Sequence, residues 1–173
     1  MSGLVGNVGA GSNSGVIGGG YGRFDEWRMT TDVATSTGIL GNGNVTNSVR
    51  HGLNVTVSSG IFTLPETGMY RIELTSNIIH NGSSRYPYGQ IQVDFGADGS
   101  YTLVAQGMFQ MANQGDNSYE MMYAHASCDC TAGDLVKFTP AGSSVTWQGI
   151  STANYTYFRF TKINALWVAE HST

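Results

Sequence analysis

Residues 60–78, Gly60-Ile-Phe62-Thr-Leu64-Pro65-Glu66-Thr67-Gly68-Met69-Tyr70-Arg71-Ile72-Glu73-Leu74-Thr75-Ser76-Asn77-Ile78, decide the fold class. The stretch opens with a short alternating run, Ile61 to Leu64, and breaks at a turn carrying Pro65 and Gly68. It then resumes an alternation in which Tyr70, Ile72 and Leu74 share one face and Arg71 and Glu73 the other. A period of two with apolar residues on one side is the pattern of a half-buried β-strand. Helical spacing would scatter the same residues around a cylinder.

The pattern continues on both sides of this stretch. Leu53, Val55 and Val57 alternate upstream. Downstream, Gly89 to Phe95 reads as a strand, Asp98-Gly99 as a hairpin turn, and Tyr101 to Ala105 as the returning strand. Further strands follow at Gly107 to Met111, Ser118 to Cys128, Leu135 to Phe138 and Tyr155 to about Ile163, with a turn at Ala132-Gly133-Asp134. Nowhere is there a helical period of more than a turn or two. Eight to ten short strands in one domain predict an all-β fold, an antiparallel two-sheet sandwich.

The composition agrees. Charged residues are 12% of the 173, aromatics 11%, and glycines number 24. Aromatics at this level with so little charge exclude a disordered chain. Eight Lys and Arg against twelve Asp and Glu leave no basic stripe, which argues against nucleic acid as a partner. No apolar run approaches the ~18 residues of a membrane span, and the first residues lack the basic and apolar regions of a signal peptide. Synthesis in a reducing cytoplasm is the expectation, with Cys128 and Cys130 as free thiols; a bridge between residues so close on a strand would strain the backbone.

Residues 1–23 differ from the rest. They are rich in Gly, Ser and Asn and carry no charge before Arg23. The expected organisation is an extended N-terminal arm over 1–23 and a sandwich domain over 24–173. A flexible tail accounts for the arm's composition. An arm lying on a neighbouring subunit accounts in addition for Leu4, Val5, Val8, Val16 and Ile17, for which a solvated linker has little use.

Phe62-x5-Gly68-x-Tyr70-x-Ile72-x-Leu74 resembles the signature of the complement-one-q and tumour-necrosis-factor-like globular heads. Gly133-Asp134 resembles the turn that family places before a strand, and Tyr157-Phe158-Arg159-Phe160 its closing strand. Ile72 and Leu74 stand where the family has aromatics, and no collagenous stem precedes the domain. The combination of Trp27-Arg28-Met29-Thr30 with Ser58 to Pro65 and Thr67 to Tyr70 is similar to versions found in structural proteins of tailed bacteriophages, especially marine ones. The resemblance implies a jelly roll that assembles as a homotrimer, with its aromatic strands facing a threefold axis. Trimer contacts are then expected at Phe109, Met111, Tyr119, Met121, Tyr123, Tyr157, Phe158 and Phe160.

The residues of Met108 to Met111 and Tyr119 to Tyr123 point the same way, because large apolar side chains occupy both parities of these strands. Either the chain packs irregularly over both faces, or a second copy covers one of them.

Catalytic and metal motifs are lacking. The four histidines have no ligand spacing, no nucleophile elbow occurs, and Cys-Asp-Cys without a second pair is not a zinc site. No cofactor is expected. Asp94 and Asp98 fit either a calcium loop or an Asp-Gly turn. The expected function is therefore non-enzymatic, and what the phage resemblance implies is a capsid decoration protein on the outer surface of a virion, made in the host bacterial cytoplasm. Its partners would be itself and the major capsid protein, the latter gripped by the arm through Leu4, Val5, Val8, Val16 and Ile17. The short arm, in place of a long shaft, favours decoration over a fibre. The alternative is a tail or head fibre knob binding a host surface glycan, with Tyr86, Tyr88, Trp147 and Tyr155 as stacking faces and Asn81, Ser83 and Gln148 as hydrogen-bonding groups.

Overall fold

The computed structural model of the chain describes residues 23–34, 38–80, 86–110, 118–142 and 145–163. The arm proper, with Leu4, Val5, Val8, Val16 and Ile17, lies outside the described residues, as do Met111, Asn81 and Ser83.

The described residues form twelve strands and no helix: β1 (Phe24–Met29), β2 (Val33–Ala34), β3 (Val45–His51), β4 (Thr56–Ser58), β5 (Ile61–Thr63), β6 (Gly68–His80), β7 (Tyr88–Asp94), β8 (Tyr101–Met108), β9 (Ser118–Cys130), β10 (Leu135–Ala141), β11 (Val145–Trp147) and β12 (Tyr157–Ile163). All pairings are antiparallel. One sheet runs β2-β11-β6-β12-β1-β3 with β9 also on β6, and the other β4-β5-β10-β7-β8. The expected two-sheet sandwich is what the chain adopts.

β6 is the organising strand. All thirteen of its residues pair with β9, Gly68 opposite Cys130 and His80 opposite Ser118. With that edge filled, the opposite edge is shared end to end by β12, on Met69–Thr75, and β11, on Ile78–His80. The alternation read from the sequence holds: Tyr70, Ile72 and Leu74 are fully buried while Arg71 is exposed.

Between the sheets Phe62 sits at the centre of an aromatic cluster. Its ring centroid lies 5.8 Å from Trp27, 5.6 Å from Phe138, 5.3 Å from Phe158 and 5.1 Å from Phe160. Tilted and edge-on rings at these separations add about 0.5–1.5 kcal/mol per pair beyond their area burial. Here the structure corrects the sequence reading. Phe158 and Phe160 were expected at a trimer contact, yet both are fully buried inside the sandwich. The reason is register: Phe158 and Phe160 pair with Leu74 and Ile72 of β6, so they stand on the face that the second sheet covers.

One further residue differs from expectation, and one strand lies where none was read. β1, Phe-Asp-Glu-Trp-Arg-Met, does not alternate, because Asp25, Glu26 and Trp27 are all buried and a register shift separates Glu26 from Trp27. Trp147, expected exposed in a loop, is fully buried on β11.

Candidate functional site

The sheets meet at one margin through two edge strands, β9 of the first and β8 of the second. Among the described residues neither has another hydrogen-bonded neighbour beyond β6 and β7 respectively. What brings them together is a pair of glycines. Gly89 and Gly107 are register partners on β7 and β8. A Cβ on Gly107 would lie 2.5 Å from the carbonyl oxygen of Tyr123, and one on Gly89 would lie 2.4 Å from Met122 Cε. The missing side chains let β9 pass directly over the β7–β8 pair.

β9 alternates strictly as it passes. Met122, Ala124 and Ala126 point into the sandwich, whereas Tyr119, Met121 and Tyr123 stand 60%, 70% and 46% exposed. Met108, next to Gly107 on β8, is 59% exposed, and the following Phe109 is half-buried against the core. Tyr157 of β12 lies in the same row as Tyr123, because both pair with Thr75, and it is half-buried. The structure therefore gathers Tyr119, Met121, Tyr123 and Tyr157 on the outer face of the first sheet, with Met108 and Phe109 at the adjoining margin. Single exposed apolar residues are ordinary; several in succession on one edge strand mark an interaction surface.

Polar groups on that face are paired. Tyr123 Oη donates to Glu73 Oε1 at 2.5 Å and accepts from Arg71 Nη2 at 2.9 Å. Arg71 Nε lies 3.3 Å from Glu73 Oε1. The Tyr123 hydroxyl is pushed above its ordinary pKa by burial and then by the Glu73 carboxylate that it bonds. Two strands further across, Arg159 donates twice to Glu26 Oε2, at 2.5 and 2.9 Å, while Asn154 and Ser48 bond Glu26 Oε1. Arg71 and Glu73 carry no apolar or catalytic signature, so the sequence reading passed over them; only the pairing of β6 with β9 places them under Tyr123.

The remaining candidates resolve as structural groups. Asp94 is fully buried and accepts from the backbone N–H of Asp98 at 3.1 Å and Gly99 at 2.9 Å. Asp98 accepts from the N–H of Ser100 at 2.8 Å. Of the two readings of these aspartates, this is the Asp-Gly turn. Among the described residues no group of three or more His, Cys, Asp or Glu is arranged to hold a metal ion. Cys128 and Cys130 are unbridged, and burial pushes the Cys130 thiol up to about 12, which leaves it protonated and unreactive. Of the residues expected to stack on a glycan, Tyr86 and Tyr155 are exposed and Tyr88 half-buried, while Trp147 is in the core. Gln148 is half-buried, with its Oε1 unbonded.

Arg23, the first described residue, is held beside the turn that precedes β6. The Arg23 guanidinium grips Glu66 with two nitrogens, Nη1 to Oε1 at 2.6 Å and Nη2 to Oε2, and Lys162 Nζ reaches Glu66 Oε2 at 2.7 Å. The Arg23 carbonyl accepts from the Lys162 N–H at 2.8 Å. These two cations hold the Glu66 carboxyl down at about 2.

No protein-family model matches the chain, and no curated protein matches it in sequence. Solved structures do match in three dimensions. Eiger TNF from S. frugiperda superposes with a TM-score of 0.64 at 11% identity, covering 83% of this chain and 94% of that one. Murine APRIL superposes with a TM-score of 0.57 at 12% identity in a structure at pH 8.0, covering 81% and 98%. At pH 5.0 the values are 0.56 and 14%, covering 82% and 98%. Identities this low speak to the path of the backbone, and in that respect the chain is a tumour-necrosis-factor-like jelly roll.

Proposed function

We propose that the protein is a non-enzymatic, homotrimeric virion decoration protein, which assembles through the β8–β9 margin and binds the outer capsid shell with its N-terminal arm. The observation that carries the assembly half is the exposed run of Tyr119, Met121 and Tyr123 on an edge strand whose other face is packed. A second copy is the fitting occupant. The charges on that face nearest the run, Arg71 and Glu73, form a neutral pair, so a copy that covers them meets no net charge there, and Glu120, exposed between Tyr119 and Met121, stands on the opposite parity of β9. In a closed ring the margin of one copy meets a different patch on the next, which is the heterologous contact of a cyclic trimer.

The capsid half rests on the likeness of residues 27–30 and 58–70 to phage structural proteins and on the arm. The arm leaves the domain from a fixed point, because Arg23 is tied to Glu66 and Lys162. A chain of 22 residues has a maximum reach of about 70 Å, enough to cross to neighbouring subunits. Three such arms on one trimer gain avidity without chemistry.

The test separates the halves. Full-length protein and a variant lacking residues 1–22 are compared in pull-down with purified capsid shells and in binding to host cells. Decoration predicts that both proteins are trimers and that only the full-length one binds shells. Adhesion to cells by the truncated protein, without shell binding by either, would overturn decoration in favour of a fibre knob.

A further inference from the structure

We infer that Arg71, Glu73 and Tyr123 form a pre-assembled polar lock, which lets a second copy cover the outer face of β9 without stranding a charge. The inference rests on the trimer reading above and concerns which residues make that contact specific.

The three side chains converge from two strands. Arg71 and Glu73 are two residues apart on β6 and share its outer face; Tyr123 reaches them from β9. Every polar function at the centre of the group is used. The tyrosine hydroxyl both donates, to Glu73 Oε1, and accepts, from Arg71 Nη2, while the ion pair closes the triangle. The Tyr123 ring remains 46% exposed and lies 5.3 Å from the His125 ring. Glu73 is already largely shielded, with its side chain 15% exposed, whereas that of Arg71 is 45% exposed.

For the free chain this arrangement achieves little, since exposed ion pairs contribute almost nothing to stability. Under a covering surface the balance changes. A charge taken out of water without a partner is strongly unfavourable, whereas one already neutralised and hydrogen-bonded loses far less. With its hydroxyl satisfied from within its own chain, Tyr123 offers its neighbour only an aromatic face, and tyrosines of this kind are enriched among the dominant contacts of interfaces.

Sedimentation equilibrium on the full chain tests the lock, with thermal unfolding as a control for folding. Glu73→Gln strands Arg71 beneath the partner and should raise the concentration for half-assembly at least about tenfold. Tyr123→Phe should give a smaller loss. The double variant Arg71→Gln/Glu73→Gln removes both charges and should recover most of the loss, which a merely structural role would not produce. Equal assembly by Glu73→Gln and wild type, or a double variant no better than Glu73→Gln, would overturn the lock while leaving the trimer standing. A wild-type chain that is monomeric would overturn both.

Discussion

The cluster around Phe62 and the stripe along β9 are made of similar residues on strands of one sandwich, and differ in what lies over them. Phe62, Phe138, Phe158 and Phe160 are enclosed by both sheets and touch one another. Tyr119, Met121 and Tyr123 occupy the outward parity of an edge strand, and nothing in the described chain covers them. The contrast separates two settings of apolar area: in the cluster it holds the fold together, and on β9 it stands in solvent, where the proposed assembly would cover it. Substitutions in the two regions should therefore affect different measurements.

The largest effect on the subunit itself is expected in the cluster. Phe138→Ala removes a ring 4.4 Å from Phe158 and 5.6 Å from Phe62, leaving a cavity neither sheet can close. A loss of about 3–5 kcal/mol in urea or thermal unfolding is expected. An unchanged midpoint would mean that the cluster is not the core.

Next comes the join between the regions. Gly107→Ala drives a methyl group against the backbone of Tyr123, which has no rotamer through which to yield, and should destabilise the fold by about 1–3 kcal/mol. Gly89→Ala meets side chains alone, Met122 Cε at 2.4 Å and Leu74 Cδ2 and Trp147 Cη2 at 2.9 Å, which can shift where a backbone cannot, and should destabilise the fold by less. If the two variants unfold alike, the close passage of β9 over Gly107 is not what closes the margin.

A smaller contribution comes from Glu66, whose pKa falls from 4.5 to about 2 in the folded chain beside Arg23 and Lys162. A depressed carboxylate stabilises the fold above its unfolded pKa, and that contribution is lost as pH falls from about 4.5 toward 2. Glu66 and Arg23 are each more than a third exposed and screened by water, so the loss should stay under about 1 kcal/mol. Glu66→Gln should remove this part of the acid sensitivity, and an unfolding profile between pH 5 and 2 identical to wild type would contradict the assignment.

How much of this was legible in the sequence depends on whether a residue's neighbours in space are also its neighbours along the chain. Alternation along β6 and the turns at Gly99 and Gly133, both at positive φ, could be read directly. β1 could not, because two of its buried residues are carboxylates. Asp25 accepts the Val55 N–H at 2.8 Å, and Glu26 pairs with Arg159, partners 30 and 133 residues away. The resemblance grouped Tyr157, Phe158 and Phe160 together, although Tyr157 has the opposite parity, and parity does not say which face of a strand lies inside. That follows from pairing across the sheet, which sets Phe158 and Phe160 beside the buried Leu74 and Ile72 of β6. The same limit concealed Arg71 and Glu73, whose interest comes from β9 lying beside them.

The smallest effect on folding, and the largest on assembly, is expected from Met121→Asp. Its side chain is 70% exposed, so the free subunit should keep its unfolding midpoint within about 0.5 kcal/mol. The central claim, that the β8–β9 margin is where copies meet, is tested most directly by the solution mass of this variant beside wild type at micromolar concentration. The account predicts a wild-type trimer of about 55 kDa, three copies of the 18.5 kDa chain, and a folded Met121→Asp monomer. A monomeric wild type, or a variant that remains trimeric, would contradict it.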